Sequence, residues 1–260
     1  MIAKPNNLRD WLSPWIYFVV ILVFVEAFLR IFDVPEYLLP LPTRVVAAAV
    51  AKVSLISKHL LVTLSEALLG FIAGNSCAIA FGFLFSLWRP VRQGIYPIIV
   101  AMQAVPIVAI APFIQIWFGS GMTGKAVMAA LICYFPATVI STNGFSKANR
   151  DALLFLESLG ASRWQVFHRL RFPSAIPGIM SALQVSASLC VIGAVVAELA
   201  GANKGVGYLI VSASYEFRTT DLFAILAITS IASFVLFKLV EFVGNVYATK
   251  YSFSYAVPNT

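Results

Sequence analysis

The run Gly119-Ser-Gly-Met-Thr-Gly-Lys125 is where this chain comes nearest to a chemical signature. It matches most of a phosphate-binding loop, and Gly119, Gly121 and Gly124 also spell G-x-G-x-x-G. A phosphate loop needs glycines so that backbone N–H groups can wrap the phosphates, a lysine to reach them, and a following Ser or Thr to hold magnesium. Position 126 is Ala, so the magnesium ligand is missing. A dinucleotide fold needs a strand before the glycines and an acid on a later strand. Here long apolar segments flank the run on both sides, so it reads as a glycine-rich turn. The remaining candidates are sparse. His59 and His168 fall in segments expected on opposite sides of a membrane. Cys77, Cys133 and Cys190 each lie within an apolar segment and form no C-x-x-C; they read as small fillers, not as a disulfide or metal framework. No metal site and no nucleophilic triad can be assembled. The sequence therefore shows no hydrolytic or redox centre.

The elements around these residues explain why. The chain has 260 residues, 60% hydrophobic and 11% charged, with a mean hydropathy of +0.90. Soluble domains run near a quarter charged, so lipid must replace water over much of this surface. A backbone in lipid must satisfy its own hydrogen bonds, which leaves helices or closed barrels. Long continuous apolar runs, without the short alternating segments of a barrel, select helices. Charge-poor intervals at 11–25 (continuing to 32), 67–88, 93–124, 126–146, 172–197 and 222–237 fit six spans of about 20 residues. The interval 93–124 is longer than one span needs, and Pro97, Pro106 and Pro112 inside it predict a broken helix. The net charge of +7 is spread over loops without a basic, aromatic-interleaved stripe, which argues against nucleic acid.

Six spans put both termini on one side. With the N-terminus inside, the inner segments hold Lys4, Arg9, Arg89, Arg92, Lys147, Arg150, Arg163, Arg169, Arg171 and Lys250. The outer segments hold Arg30, Arg44, Lys52, Lys58, Lys125, Lys204 and Arg218. The bias of short loops sets orientation, so the expectation is N-in and C-in. Basic residues precede the first span, but no small-residue cleavage site follows it, so no cleaved signal peptide is expected. The outer segment 38–58 reads as an amphipathic surface helix: Pro40 and Pro42 keep its approach extended, Thr43 is the expected N-cap, and Val46, Ala49, Val50, Val53 and Ser57 recur at helical spacing.

Polar side chains within spans mark a candidate translocation path, because polarity in lipid is costly without a function or a partner. These are Gln103 beside Pro106, Gln115, Gln184, Ser188 and Glu198. Gln103 and Gln184 admit two readings, a pathway role or an interhelical hydrogen bond; serines such as Ser186 and Ser188 read first as small packing residues. Lys238 and Glu241 read as a snorkelling pair.

Between the fourth and fifth spans lies a polar, basic island, the loop 150–173. Asp151 is the expected cap of a helix over 152–159, and Gly160 stands where a left-handed residue would end it. Ser162 and Gln165 have the spacing of a capping box opening a second helix. Trp164, Phe167 and Leu170 share one face, and Phe172-Pro173 is expected to stop that helix. Leu153, Leu154, Phe155, Leu156 and Leu159 give the first helix apolar surface nearly all round. Either it tucks beneath the bundle or another protein covers it.

The order of these residues resembles a known family. Leu159-Gly-Ala-Ser162 followed by Leu170-Arg-Phe-Pro173 and Pro177 is similar to the cytoplasmic EAA loop of ABC importer permeases, with Gly160 and Pro173 at the loop's glycine and proline. The E-A-A positions fall on Leu154, Phe155 and Leu156; the acid is displaced to Glu157. Leu38-Leu-Pro-Leu-Pro-Thr43, Gln103-Ala-Val-Pro106, Ala111-Pro112, Ile116-Trp-Phe-Gly119, Tyr134-Phe-Pro136 and Gly205-Val-Gly-Tyr208 resemble the nitrate/sulfonate/taurine branch, which also includes permeases for pyrimidine-type precursors and riboflavin. Span two of that branch often carries a basic residue where this chain has Glu66. The resemblance implies an all-α integral membrane protein of the type I importer fold, a single permease domain over 1–260 of the bacterial inner membrane. It implies coupling to cytoplasmic ABC ATPase subunits through Leu154, Phe155, Leu156, Glu157, Leu159, Gly160, Ala161 and Pro173. It further implies an extracytoplasmic binding protein, a second permease copy, and ATP and magnesium bound by the ATPase with no cofactor in this chain. The rivals are an ion-coupled secondary transporter, for which no repeat or central carboxylate is visible, and a membrane enzyme, for which no reactive cluster is visible.

Overall fold

A computed structural model describes the backbone of residues 8–252 and side-chain surroundings from residue 16 to residue 246. The expected charges Lys4, Arg9 and Lys250 lie outside the described side chains. Among the described residues there are helices and no strands. In chain order they are α1 (Leu8–Ile31), α2 (Pro42–Ala51), α3 (Val53–Leu87), α4 (Arg89–Met102), α5 (Ile107–Phe118), α6 (Met122–Phe145), α7 (Arg150–Ser158), α8 (Arg163–Val166), a π-helical turn (Phe167–Arg171), α9 (Phe172–Leu199), α10 (Val206–Tyr215) and α11 (Thr219–Ser252). Four stretches are long and apolar enough to cross a membrane: Val53–Leu87, Met122–Phe145, Arg163–Leu199 and Thr219–Val246. The pair α4 and α5 is long and apolar enough only when taken together, bent by 103° at its break as in a broken span or a re-entrant loop. The chain divides into two compact units, 1–57 with 209–228, and 58–208 with 229–260.

In the second unit, α6 packs closely against both α3 and α9. A Cβ placed on Gly178 would come within 2.7 Å of the Gly144 Cα. Lipid tails are as apolar as leucine, so helices here gain from close backbone packing and not from hiding oily surface; small residues permit it. Ala67, Ala129, Cys133, Cys190, Val191 and Ala194 form the centre of this packing. Cys133 and Cys190, distant in sequence, thus meet in one core, with Cys77 exposed.

Of the three prolines in 93–124, only Pro106 stands at the break. The chain leaves helical geometry between Met102 and Ile107, and Pro106 stands at the N-cap of α5. Pro97 and Pro112 lie inside α4 and α5, which continue through them. The position of Pro106 at a helix start explains the difference, since its missing N–H would have no intrahelical partner there.

In the first unit, α1 presents an exposed apolar surface from Ile16 to Phe24. The expected outer segment 38–58 divides: α2 ends at Ala51, and Val53 already opens α3. Leu41, not Thr43, occupies the N-cap of α2, with Pro42 in the first turn. Thr43 is drawn elsewhere. Its N–H and Oγ1 donate to Glu26 at 3.2 and 2.8 Å, and Arg30 donates to the same carboxylate at 2.6 Å. Val46, Val50 and Val53 are exposed, while Ile56 is buried. Lys52 pairs with Asp221, which also accepts from Arg218 at 3.1 Å.

Candidate functional site

The helix α7 is built to stand by itself. Asn149, not Asp151, is its N-cap; the Asn149 side chain accepts from the N–H groups of Asp151 and Ala152 at 2.8 and 3.3 Å. Asp151 falls in the first turn, where its charge favours the helix dipole. At the other end Gly160 has φ +72°, which costs glycine little and a Cβ-bearing residue more. The Ala161 N–H bonds to the Leu156 carbonyl at 3.0 Å and the Gly160 N–H to the Glu157 carbonyl at 3.0 Å, a Schellman ending. Between these caps Leu154, Phe155 and Leu159 are 54%, 63% and 68% exposed, while Leu153 and Leu156 are partly covered. A nine-residue helix in water is marginal, so the caps and the partly covered side hold it, and its apolar outer side stays unburied within this chain.

The next helix joins the membrane without a stop. Ser162 and Gln165 form the expected capping box, at 3.3 and 2.8 Å. Phe172-Pro173 does not end α8; the chain runs through one π-helical turn straight into α9. A wider i→i+5 turn places Pro173 in the first turn of α9, where its lack of an N–H does no harm. Phe167 and Leu170 are buried, but Trp164 is 61% exposed, stacked on Phe167 and edge-on to His168. Phe167 also packs 4.4 Å from Phe83 of α3, and Arg171 donates to the carbonyl of Ser86. These contacts tie the π-helical turn that opens α9 to α3, and α7 joins that turn through Gly160 and α8.

The candidate path residues separate into two groups. Gln103 and Pro106 are exposed at the break between α4 and α5. Gln184 of α9 lies partly buried beside Gly244 of α11, and Ser188 is partly buried on α9. Gln115 instead donates to the Ala197 carbonyl at 2.8 Å. Glu198 is 1% exposed and lies in a buried polar cluster. One of its oxygens accepts from Thr63 Oγ1 at 2.7 Å, the other from the Gly207 N–H at 2.6 Å. The Val206 N–H donates to Thr63 Oγ1 at 2.8 Å, and the Gly205 N–H lies 3.1 Å from His59 Nδ1. Gly205, at φ +106°, leaves no room for a Cβ against the Glu198 carboxylate. Tyr208 stacks on His59 at 5.8 Å. So the Gly205-Val-Gly-Tyr208 run is the strap by which the end of α9 and the start of α10 fasten to α3.

Beside it stands a buried ion pair. Lys125 Nζ lies 2.8 Å from Glu66 Oε1, with the side chains 7% and 2% exposed. Lys125, counted in the sequence with the charges of an outer segment, is thus buried and paired. It stands near the start of α6, just after the N-cap Gly121, and its ammonium serves a carboxylate. His59, Thr63 and Glu66 stand at i, i+4 and i+7 on one face of α3. That polar stripe within an apolar run, with Glu198 ahead of two closely spaced glycines, was the signal available for this cluster. Among the described residues no group of His, Cys, Asp or Glu could hold a metal ion.

Comparison with known proteins accounts for this arrangement. Residues 67–252 match the family described as binding-protein-dependent transport system inner membrane component. The formylaminopyrimidine transport permease protein ThiX of Halalkalibacterium halodurans is 32% identical over 240 residues, 90% of this chain and 94% of that protein. The riboflavin transport system permease protein RibX of Chloroflexus aurantiacus is 32% identical over 222 residues, 85% and 83% of the two chains. Among solved structures, an inward-facing MetNI methionine ABC transporter superposes with a TM-score of 0.60 at 18% identity, covering 75% of this chain and 94% of that one.

Proposed function

We propose that this chain, which belongs to the binding-protein-dependent inner membrane component family, is the permease subunit of an ATP-driven importer, with α7 as the handle of its ATPase. The observation that carries this reading is the exposed Leu154, Phe155 and Leu159 surface on a helix capped at both ends, followed by a turn, Phe167–Arg171, anchored on α3. Such a helix has the form of an apolar insert for a groove in another protein. Leu156, Glu157, Gly160, Ala161 and Pro173 complete the coupling elbow. Glu157 is exposed on α7, one turn after the expected acid position.

In this reading α1 is the first of six spans, the broken pair α4–α5 is the third, and both termini face the cytoplasm. A second copy completes the pathway across the bilayer. An extracytoplasmic binding protein delivers the solute. The ATPase closes on ATP and magnesium, which bind in that subunit and not in this one. Closure pulls both elbows, and the spans rock as packed bodies between inward- and outward-open arrangements. Gln103 and Pro106 at the break, with Gln184 and Ser188, are the path candidates; Gln115 and Glu198 brace the outer end of α9. Relatives named for formylaminopyrimidine and riboflavin cover somewhat more of the chain than those named for taurine and aliphatic sulfonates. A pyrimidine or vitamin-type solute is therefore the first to test, and a small anion such as a sulfonate or nitrate the second.

The test is co-purification. The wild-type chain should retain its ATPase through affinity purification and support ATP-dependent uptake in proteoliposomes. ATPase capture that survives charge at both Leu154 and Phe155 would remove α7 from the interface. Uptake that needs no ATPase at all would favour an ion-coupled carrier instead.

A further inference from the structure

A cavity of about 320 Å³ opens beside the elbow, between the end of α3 and the start of α8. It is not apolar. Arg89, Arg163 and Arg171 line it, from three different elements, together with Glu157, Ser86 and Leu87. Three guanidiniums converging on one cavity repel each other, and a single carboxylate cannot balance them. Among the described residues Arg89, Arg163 and Glu157 form no ion pair. Arg171 is held in place by its bond to the Ser86 carbonyl, which leaves the rest of its donor fork free to serve a second acceptor.

We infer that this cavity binds a phosphate oxyanion, supplied by the headgroup of an anionic membrane lipid. Planar guanidiniums pair with phosphate through parallel N–H···O bonds, and several of them around one anion remove their mutual repulsion. The depth argues for lipid over phosphate in solution. The cavity lies where the membrane-crossing stretches Val53–Leu87 and Arg163–Leu199 end and begin. Trp88 and Trp164, adjacent to Arg89 and Arg163, are 52% and 61% exposed. Exposed tryptophans of this kind sit at the headgroup level of a bilayer. A lipid held there joins α3, α4 and the elbow through one shared anion, so the membrane's charge composition sets how firmly the handle is held. The inference rests on the inward orientation proposed above, and its test separates the two.

The full chain, purified with its ATPase in neutral detergent, is titrated with short-chain phosphatidylglycerol, with phosphatidylcholine of the same chain length, and with inorganic phosphate, following the thermal unfolding midpoint. Phosphatidylglycerol should raise the midpoint saturably, phosphatidylcholine should not, and phosphate should act only at far higher concentration. Arg89→Gln with Arg163→Gln should weaken the phosphatidylglycerol response roughly thirtyfold, from about fivefold per basic residue at an anionic surface. Lys147→Gln with Arg150→Gln removes two charges that do not line the cavity and should leave the response within about twofold, because neither can make the short paired N–H···O bonds to a phosphate held there. Equal weakening by both pairs would mean a diffuse field and would overturn the site. An equal response to phosphatidylcholine, or to phosphate at matched concentration, would overturn the lipid assignment. Retention of the ATPase with no preference for phosphatidylglycerol sinks this inference alone; loss of the ATPase from the wild-type sample sinks the importer reading instead.

Discussion

The two ends of α9 solve opposite problems. At its start, the elbow leaves apolar side chains uncovered and satisfies its backbone with local caps. At its end, roughly 40 Å away at 1.5 Å per helical residue, the protein buries charge and satisfies it with partners from remote parts of the chain. An exposed leucine on α7 is tolerable only if something else covers it. A buried Glu66 is tolerable only because Lys125 reaches it. The first region is organised for a partner outside the chain, the second for the chain itself. The difference gives each a distinct failure: loss of the elbow should silence a well-folded protein, and loss of the buried cluster should unfold part of it.

The sharpest break in that comparison is Glu66→Ala. Removing one member of a buried pair leaves the Lys125 charge uncompensated and should destabilise the protein by about 3–5 kcal/mol. Thermal unfolding in detergent should show this, and Glu66→Met with Lys125→Met should recover most of the loss. If the single variant unfolds like wild type, the cluster does not carry the structural role given to it. Leu154→Asp with Phe155→Asp should act in the opposite sense. Stability should change by less than about 0.5 kcal/mol, as for exposed positions. ATPase affinity should fall by about 2 kcal/mol or more, the loss typical of central interface residues, seen in pull-down and uptake together.

Gly160→Val should have a smaller effect. The left-handed φ of +72° costs a β-branched residue about 1–3 kcal/mol, concentrated where α7 ends. Insertion and folding should persist while ATP hydrolysis proceeds with reduced uptake. Normal coupling would show that the elbow's shape is unimportant. Ser162→Ala should be smallest, about 1 kcal/mol from the lost cap, read as slightly earlier unfolding with uptake nearly intact. A large uptake defect from that change would mean that the α8 start also meets the partner.

Much of the elbow was legible in the chain because its causes are local. Gly160, the Ser162–Gln165 box and the apolar run from Leu153 to Leu159 act within one or two turns of themselves. The errors there were also local ones of rank. Asn149 competed with Asp151 for the cap and took it, and a π-helical turn absorbed Pro173 where a stop was expected. Thr43 failed as a cap for a different reason: Glu26, 17 positions earlier, claimed its hydrogen bonds.

By itself the sequence determined the solvent, the helical character, an interruption within 93–124 and an apolar helix ending at Gly160; that this helix stays exposed came from the structure. Composition and hydrophobic period act at every residue and need no knowledge of neighbours. Only the tertiary structure decided that Lys125 belongs to Glu66, that Glu198 belongs to Thr63 and Gly207, and that three arginines share one cavity. Those pairings join residues from 9 to 135 positions apart. Electrostatic energy depends on distance in space, and a chain folded in lipid must bring such groups together or leave them as uncompensated charge.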